Sequence, residues 1–159
     1  MSDYQKCANE RRIVFGDDFD TLAEINSLFG LPKGAGMRRG GTHLKRGGVD
    51  AIIWRPSDRQ GDNAWVDVKE VCGKNCDARD HLPEVLQISE RLTSEDETSR
   101  HVTSMLNDPA EHTRYVFWHE RRRGVAWYKF YGVFKLMIDK TMNDGKCWYE
   151  RIATEVTLP

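Results

Sequence analysis

No apolar run in this 159-residue chain approaches the roughly 18 residues that a membrane helix needs, so no segment is expected to span a bilayer. The opening residues, Met-Ser-Asp-Tyr-Gln-Lys, lack an apolar core, so no secretory signal is expected either. The chain has only four cysteines (Cys7, Cys72, Cys76 and Cys147), and without a signal they are expected as reduced thiols in the cytoplasm rather than as two disulfides. Cys72-Gly-Lys-Asn-Cys76 followed by His81 invites a zinc reading. Structural zinc, however, takes four ligands in two tight pairs, and the fourth would have to come from Cys7, Cys147 or a distant His, so this stretch reads as a reduced turn. There is no Gly-rich phosphate loop closed by Lys-Ser/Thr and no Gly-x-Ser-x-Gly, which leaves nucleotide hydrolysis and serine esterase chemistry without support. No internal repeat or linker interrupts the chain, so residues 1–159 read as one domain.

Hydrophobic residues make up 39%, enough for one packed core, and the five tryptophans make the chain aromatic-rich. The net charge of −1 hides an asymmetry. Residues 33–59 carry seven Lys/Arg against two acids, and residues 77–111 carry nine acids against three arginines. A second basic cluster is Arg121-Arg122-Arg123. Concentrated basic segments on a near-neutral chain point to a face for nucleic acid, against the plainer reading of a solvated surface.

Thr21-Leu22-Ala23-Glu24 matches a capping box, and Leu22, Ile25, Leu28 and Phe29 form one apolar stripe, so a short helix is expected before Gly30 and Pro32. Residues 34–48 interleave Gly with Arg38, Arg39, His43, Lys45 and Arg46, which reads as a basic loop able to close over a phosphate backbone rather than as a plain linker. Strands are expected at 51–54 and 64–71, joined by a turn at 56–63. A helix is expected over 82–92, with Pro83 in its first turn, then a surface loop or weak helix over 93–113. Strands follow at 114–120 and 127–137, the second with Tyr128, Phe130, Phe134 and Leu136 on one face and Lys129, Tyr131 and Lys135 on the other. Asn143-Asp144-Gly145 is a turn before a last strand at 147–156. The expected class is mixed α/β (α+β), strand-rich, as a curved sheet or small open β-barrel with flanking helices.

Gly48-Val49-Asp50 at the head of one strand, followed by Asp67-Val68-Lys69 on the next, looks like the PD-(D/E)xK nuclease pattern. Its chemistry explains the spacing: two carboxylates, here Asp50 and Asp67, hold Mg²⁺, while Lys69 steadies the attacking water or the developing phosphorane charge. Glu24 on the preceding helix supplies a further acid in that reading. A D-x-K triplet also occurs at Asp144-Gly145-Lys146, within a turn, so the pattern arises easily by chance.

The aromatic residues Trp54, Trp65, Trp118, Trp127, Tyr128, Phe130, Tyr131 and Trp148 fall on the expected strands, with basic loops beside them. Most must be core, and one or two at a sheet mouth, Trp54, Trp65 or Tyr131, are candidates to stack on a flipped or single-stranded base. The stretches Arg-Tyr-Val-Phe at 114–117, Tyr-Lys-Phe-Tyr-Gly-Val-Phe-Lys-Leu at 128–136 and Trp-Tyr-Glu-Arg-Ile-Ala-Thr-Glu-Val at 148–156 resemble domains of the PUA-like superfamily, which include the SET-and-RING-associated readers of modified cytosine. Residues 25–30 and 53–56 fit the same pattern more loosely. That resemblance implies a curved β-structure whose cavity accepts a base and whose basic loops grip the backbone, with no base-specific residue identified. The leading expectation is therefore a DNA-binding module that reads a modified or flipped base in a bacterial or phage defence or restriction setting. In that setting it needs no cofactor and works beside a separate nuclease subunit. A Mg²⁺-dependent PD-(D/E)xK endonuclease using Glu24, Asp50, Asp67 and Lys69 is the alternative, and a protein-interaction domain is the third.

Overall fold

Strand pairing across long stretches of sequence organises this chain. The computed structural model describes residues 2–32, 41–46, 49–56, 64–66, 87–122 and 125–159, with the side chains at 46, 64–66, 120–122, 125 and 126 outside that description. In chain order the elements are α1 (Tyr4–Glu10), β1 (Arg12–Val14), β2 (Asp18–Phe19), α2 (Leu22–Leu28), β3 (Thr42–Arg46), β4 (Val49–Trp54), β5 (Ala64–Val66) and β6 (Gln87–Leu92). There follow α3 (Glu95–Asn107), a 3₁₀ turn (Pro109–Glu111), β7 (Thr113–Arg122), β8 (Val125–Leu136), α4 (Ile138–Asp144), β9 (Cys147–Ala153) and β10 (Glu155–Thr157). No helix among the described residues is long and apolar enough to cross a membrane.

The main sheet runs β3-β4-β7-β8-β9-β6-β5, with β2 added against β8, and β1 pairs with β10 as a separate ribbon. β4 and β7 are parallel and the other pairs antiparallel, so the sheet is mixed. Its end strands β3 and β5 do not pair with each other among the described residues, so the expected strand-rich α+β class holds as an open sheet flanked by helices.

Alternation along the strands gives this sheet two buried faces. On the back, Ile53, Leu44, Tyr115, Phe117, Tyr128 and Phe130 pack against Cys7 of α1 and Ile25 and Leu28 of α2. On the front, Ile52, Trp54, Val116, Trp118, Tyr131, Phe134 and Tyr149 pack against Val102 and Met105 of α3. α2 begins as expected, with the Thr21 hydroxyl accepting from the Glu24 amide.

Several expectations need correction. Residues 87–92 are β6, not the end of a helix, because the segment lies between β9 and β5 and both of its edges are hydrogen-bonded. Residues 82–86 lie outside the described residues. Of the two readings of the acidic stretch from 93, the helix holds over Glu95–Asn107: the Ser94 hydroxyl accepts from the Glu97 amide, and Glu95, Asp96 and Glu97 sit in the first turn, where the helix dipole favours them. Asn143-Asp144-Gly145 closes α4 with Gly145 at φ 73° rather than making a hairpin turn. The last strand is divided, because β10 leaves β9's partners to pair with β1. β4 and β5 are not a hairpin either, since β7, β8, β9 and β6 lie between them.

The largest correction concerns β8, which does not keep one face throughout. Tyr128 and Phe130 face the back, Tyr131 faces the front, Val133 faces the back, and Phe134 and Leu136 face the front. The even-numbered positions therefore change sides at Gly132. Opposite β7 the register steps from Val116↔Gly132 to Phe117↔Phe130, leaving Tyr131 as the extra residue of a bulge. Gly132 makes the step at φ 118°, where a Cβ would lie 2.9 Å from the Ala153 carbonyl oxygen.

Candidate nucleic-acid interface

The exposed part of the front face begins at the β3–β4 edge. β3 buries Leu44 on the back and exposes His43 and Lys45 on the other side. Lys45 lies opposite Asp50 and His43 opposite Ile52, so these two side chains share the front with Ile52 and Trp54. The His43 imidazole is hydrogen-bonded to the Asp50 carboxylate. Arg46 ends β3, Trp65 lies on β5, and Arg121 and Arg122 end β7, all with side chains outside the described residues. Arg38, Arg39, Arg123, Asp67 and Lys69 lie outside the described residues altogether, as do Cys72, Cys76 and His81.

Because β4 and β7 run parallel with Trp54 opposite Val116, the two basic groups fall at opposite ends of the sheet. Four residues separate Asp50 from Trp54 and five separate Val116 from Arg121. At about 3.3 Å per residue the groups are roughly 30 Å apart, with Trp54 between them.

Trp54 is only 6% exposed. Its indole lies 4.7 Å from the Arg114 guanidinium carbon and 5.3 Å from the Tyr149 ring. Arg114 is fully buried, 5.0 Å from the Tyr149 ring on its other contact. Its Nε donates to the Glu111 carbonyl at 3.3 Å and its Nη2 to the Met105 sulfur at 3.4 Å. Its Nη1 has no partner among the described residues. Two cation–π contacts and the Glu111 carboxylate, 3.5 Å from Nη2, offset part of the cost of burying this charge, but an unpaired donor in such a place is costly.

Beside Arg114 lie groups that sequence reasoning missed. Glu90 of β6 accepts from the Tyr149 hydroxyl at 3.4 Å and contacts His101 Nε2 at 2.6 Å. Burial alone would raise the Glu90 carboxyl, but the His101 hydrogen bond and the Arg114 charge outweigh it and hold it below the usual carboxylate range. Burial alone would lower the His101 imidazole, yet its hydrogen bonds to Cys147 and Glu90 push it up to about 10. The only sequence signals were single charges inside otherwise buried strands, Glu90 after Ile88-Ser89 and Arg114 ahead of Tyr115-Val116-Phe117.

Tyr131, expected on the exposed side of β8, is instead fully buried. The bulge turns it into the front core, where its ring meets Trp118 edge-on at 5.6 Å and Phe134 at 5.8 Å. Its hydroxyl has no partner among the described residues, and burial pushes its ionisation up. It is therefore an interior group of the front face, not a surface ring.

Two carboxylates of the nuclease pattern, Glu24 and Asp50, have other engagements. Glu24 accepts from the Ser2 hydroxyl at 2.8 Å and the Asp20 amide at 2.9 Å, on a helix packed against the back. Asp50 alternates to the front and is bound by His43. A cavity of about 430 Å³ beside the start of α3 sets Glu95 and Asp144 against Arg91 and Lys146, a balanced lining that does not favour phosphate. The front face instead buries Trp54 over a fixed cation, with His43 and Lys45 exposed at the β3 edge and Arg121 and Arg122 ending β7, an arrangement whose basic edge is suited to holding a backbone.

A family model for the SET and RING associated domain matches residues 6–158. No curated protein matches the chain. Among solved structures the chain is similar to "The 5-Hydroxymethylcytosine-Specific Restriction Enzyme AbaSI", with a TM-score of 0.72 and 21% identity, covering 97% of this chain and 44% of that one. At this identity the likeness speaks for the fold, and the chain spans less than half the length of that enzyme.

Proposed function

The chain belongs to the SET and RING associated domain family, and from that premise we propose that it is a DNA-binding module that recognises a modified or flipped base in a restriction setting. The match over residues 6–158 carries the reading. The front face supports it through the exposed His43 and Lys45 at its β3 edge, beside Trp54, which is buried against Arg114 and Tyr149. The base class we assign is a 5-substituted cytosine, after the specificity in the name of the structurally similar restriction enzyme. An extruded base gains about 1–3 kcal/mol from stacking on one aromatic ring, against an unstacking cost of a few kcal/mol, so polar contacts to its edge must supply the rest. His43, Lys45, Arg46 and the arginines at 38, 39 and 121–123 are assigned to the phosphates, where they give affinity without sequence information. Strand scission is assigned to a separate nuclease subunit, and reading the base needs no Mg²⁺.

The test is binding to one duplex carrying a single cytosine, 5-methylcytosine or 5-hydroxymethylcytosine, followed by fluorescence anisotropy at fixed salt, with Mg²⁺ or with EDTA. A preference for one modified base of about tenfold or more, worth about 1.4 kcal/mol, is expected in both buffers, and Trp54→Ala should abolish it. Equal affinity for all three duplexes, or Mg²⁺-dependent scission by the purified chain, would overturn the proposal.

A further inference from the structure

We propose that Glu90, His101 and Cys147 form a binding site for one divalent transition-metal ion of zinc-like preference, which staples α3 to the front of the sheet. The three side chains come from β6, α3 and β9, and one ligand atom from each lies within 4.8 Å of the other two. Glu90 Oε1 and His101 Nε2 are 2.6 Å apart. Around a tetrahedral zinc with bonds of about 2.0–2.3 Å, neighbouring ligand atoms stand roughly 3.3–3.6 Å apart. The site therefore needs the Glu90–His101 pair to open by an amount within side-chain adjustment, with Cys147 already within 4.8 Å of both.

The donor set is one thiolate sulfur, one imidazole nitrogen and one carboxylate oxygen, the mixture that favours zinc over the hard cations Mg²⁺ and Ca²⁺. Three protein ligands leave a fourth position for water. A hydrogen-bonded Glu–His pair explains two of these residues, and Cys147, buried on a third element, is hydrogen-bonded to the same imidazole. Cys147 and Glu90 are almost wholly enclosed, while the His101 side chain is 23% exposed and gives a route in. The Tyr149 hydroxyl, 3.4 Å from the same Glu90 oxygen, is placed to orient that carboxylate from outside the ligand set. The Arg114 charge nearby is no obstacle. A dication that displaces one proton from the imidazole and one from the thiol leaves the net charge of the cluster unchanged.

The site stands on its own geometry and does not depend on how the chain reads DNA. The experiment uses the full chain with Cys72→Ser and Cys76→Ser, so that those thiols contribute nothing. After chelator treatment, Co²⁺ is titrated and followed by its thiolate charge-transfer and tetrahedral d–d absorption. Zinc affinity is then measured by competition with a chromophoric chelator. One equivalent of Co²⁺ with a thiolate band is expected, together with a rise in melting temperature on adding zinc. Cys147→Ser should remove the band. His101→Gln, which keeps the side-chain volume, should weaken zinc binding by at least about 10–100-fold and abolish the rise in melting temperature. Should Cys147→Ser fail to fold, His101→Gln decides the matter alone. No band in the Cys72/Cys76 background, or zinc binding unchanged by His101→Gln, overturns the site.

Discussion

The two faces of this sheet bury comparable numbers of aromatic rings and do different things with them. On the back, Phe19, Phe29, Phe117, Tyr115 and Phe130 form one ring network with centroids 5.2–6.3 Å apart, and the carboxylate beside it, Asp17, is satisfied by Lys6, Cys7 and the Val14 amide. On the front, comparable rings surround Arg114, Glu90, His101 and Cys147, and two donors, Arg114 Nη1 and the Tyr131 hydroxyl, are left without partners among the described residues. A back face of that kind is what packing alone demands. The front face carries charges that packing would exclude, since apolar residues of similar volume cost less than a buried ion. The proposed function takes the front as the working side and the back as its support.

The sharpest way to break this contrast is to weaken the support. Phe130 is fully buried and touches Phe117 at 5.2 Å, so Phe130→Ala should cost about 3–5 kcal/mol in urea unfolding. DNA affinity, measured well below the melting temperature, should change little. Affinity lost in step with stability would mean that the faces are not separable.

Next in size is the residue that assigns β8 to both faces. Gly132→Ala forces a side chain into a positive-φ position and against the Ala153 carbonyl, for an expected loss of roughly 1–3 kcal/mol. Unlike Phe130→Ala it should disturb both faces, since Tyr131 and Phe134 hold their front positions only through the bulge. A neutral outcome by thermal melting would show that the strand can carry the step without glycine.

That bulge also shows what could and could not be read in the chain. The start of α2 was legible because Thr21 and Glu24 act within one turn, and β8 was legible as a strand from its length and aromatic content. Its faces were not, because strict alternation fails when one residue is added, and nothing local marks Gly132 as the place. Residues 87–92 carry leucine and isoleucine at spacings that suit a helix as well as a strand, and only β9 and β5 on either side decide between them. The basic edge at His43 and Lys45 was visible as composition. The polar cluster was not, since Glu90, His101, Arg114 and Cys147 meet only through strand order and the packing of α3.

Arg114→Met sharpens the comparison from the other side with a smaller effect on stability. It removes cation–π contacts to Trp54 and Tyr149, each worth up to about 2 kcal/mol when desolvated, but it also relieves the unpaired Nη1. These opposing effects should leave a net loss of about 1 kcal/mol. Trp54 loses its backing cation, so discrimination between modified and plain duplexes should fall by about tenfold. A variant that melts like Phe130→Ala yet still discriminates would reduce Arg114 to a packing residue.

The last expected effect is a pH dependence that vanishes at neutral pH, and it lies on the back, at Cys7, the one thiol there among the described residues. Burial first, and then the hydrogen bond to Asp17 and its charge, push Cys7 up to about 12, with Lys6 opposing. Below about pH 8.5, the ordinary value for a free thiol, folded and unfolded chains both keep the proton and Cys7 gives no pH dependence. Between about 8.5 and 12 the unfolded chain releases the proton while the folded chain holds it. This contribution to stability is therefore full below the unfolded value and is lost as pH rises towards the folded one. The slope is at most one proton, about 1.4 kcal/mol per pH unit. Other groups titrate in the same window, so the observable is the difference between wild type and Cys7→Ala. Urea unfolding at pH 7.5, 9 and 10 should show the two stability curves converging as pH rises. Parallel curves would mean that the back face lets the thiolate form, and so is less sealed against charge than its packing implies.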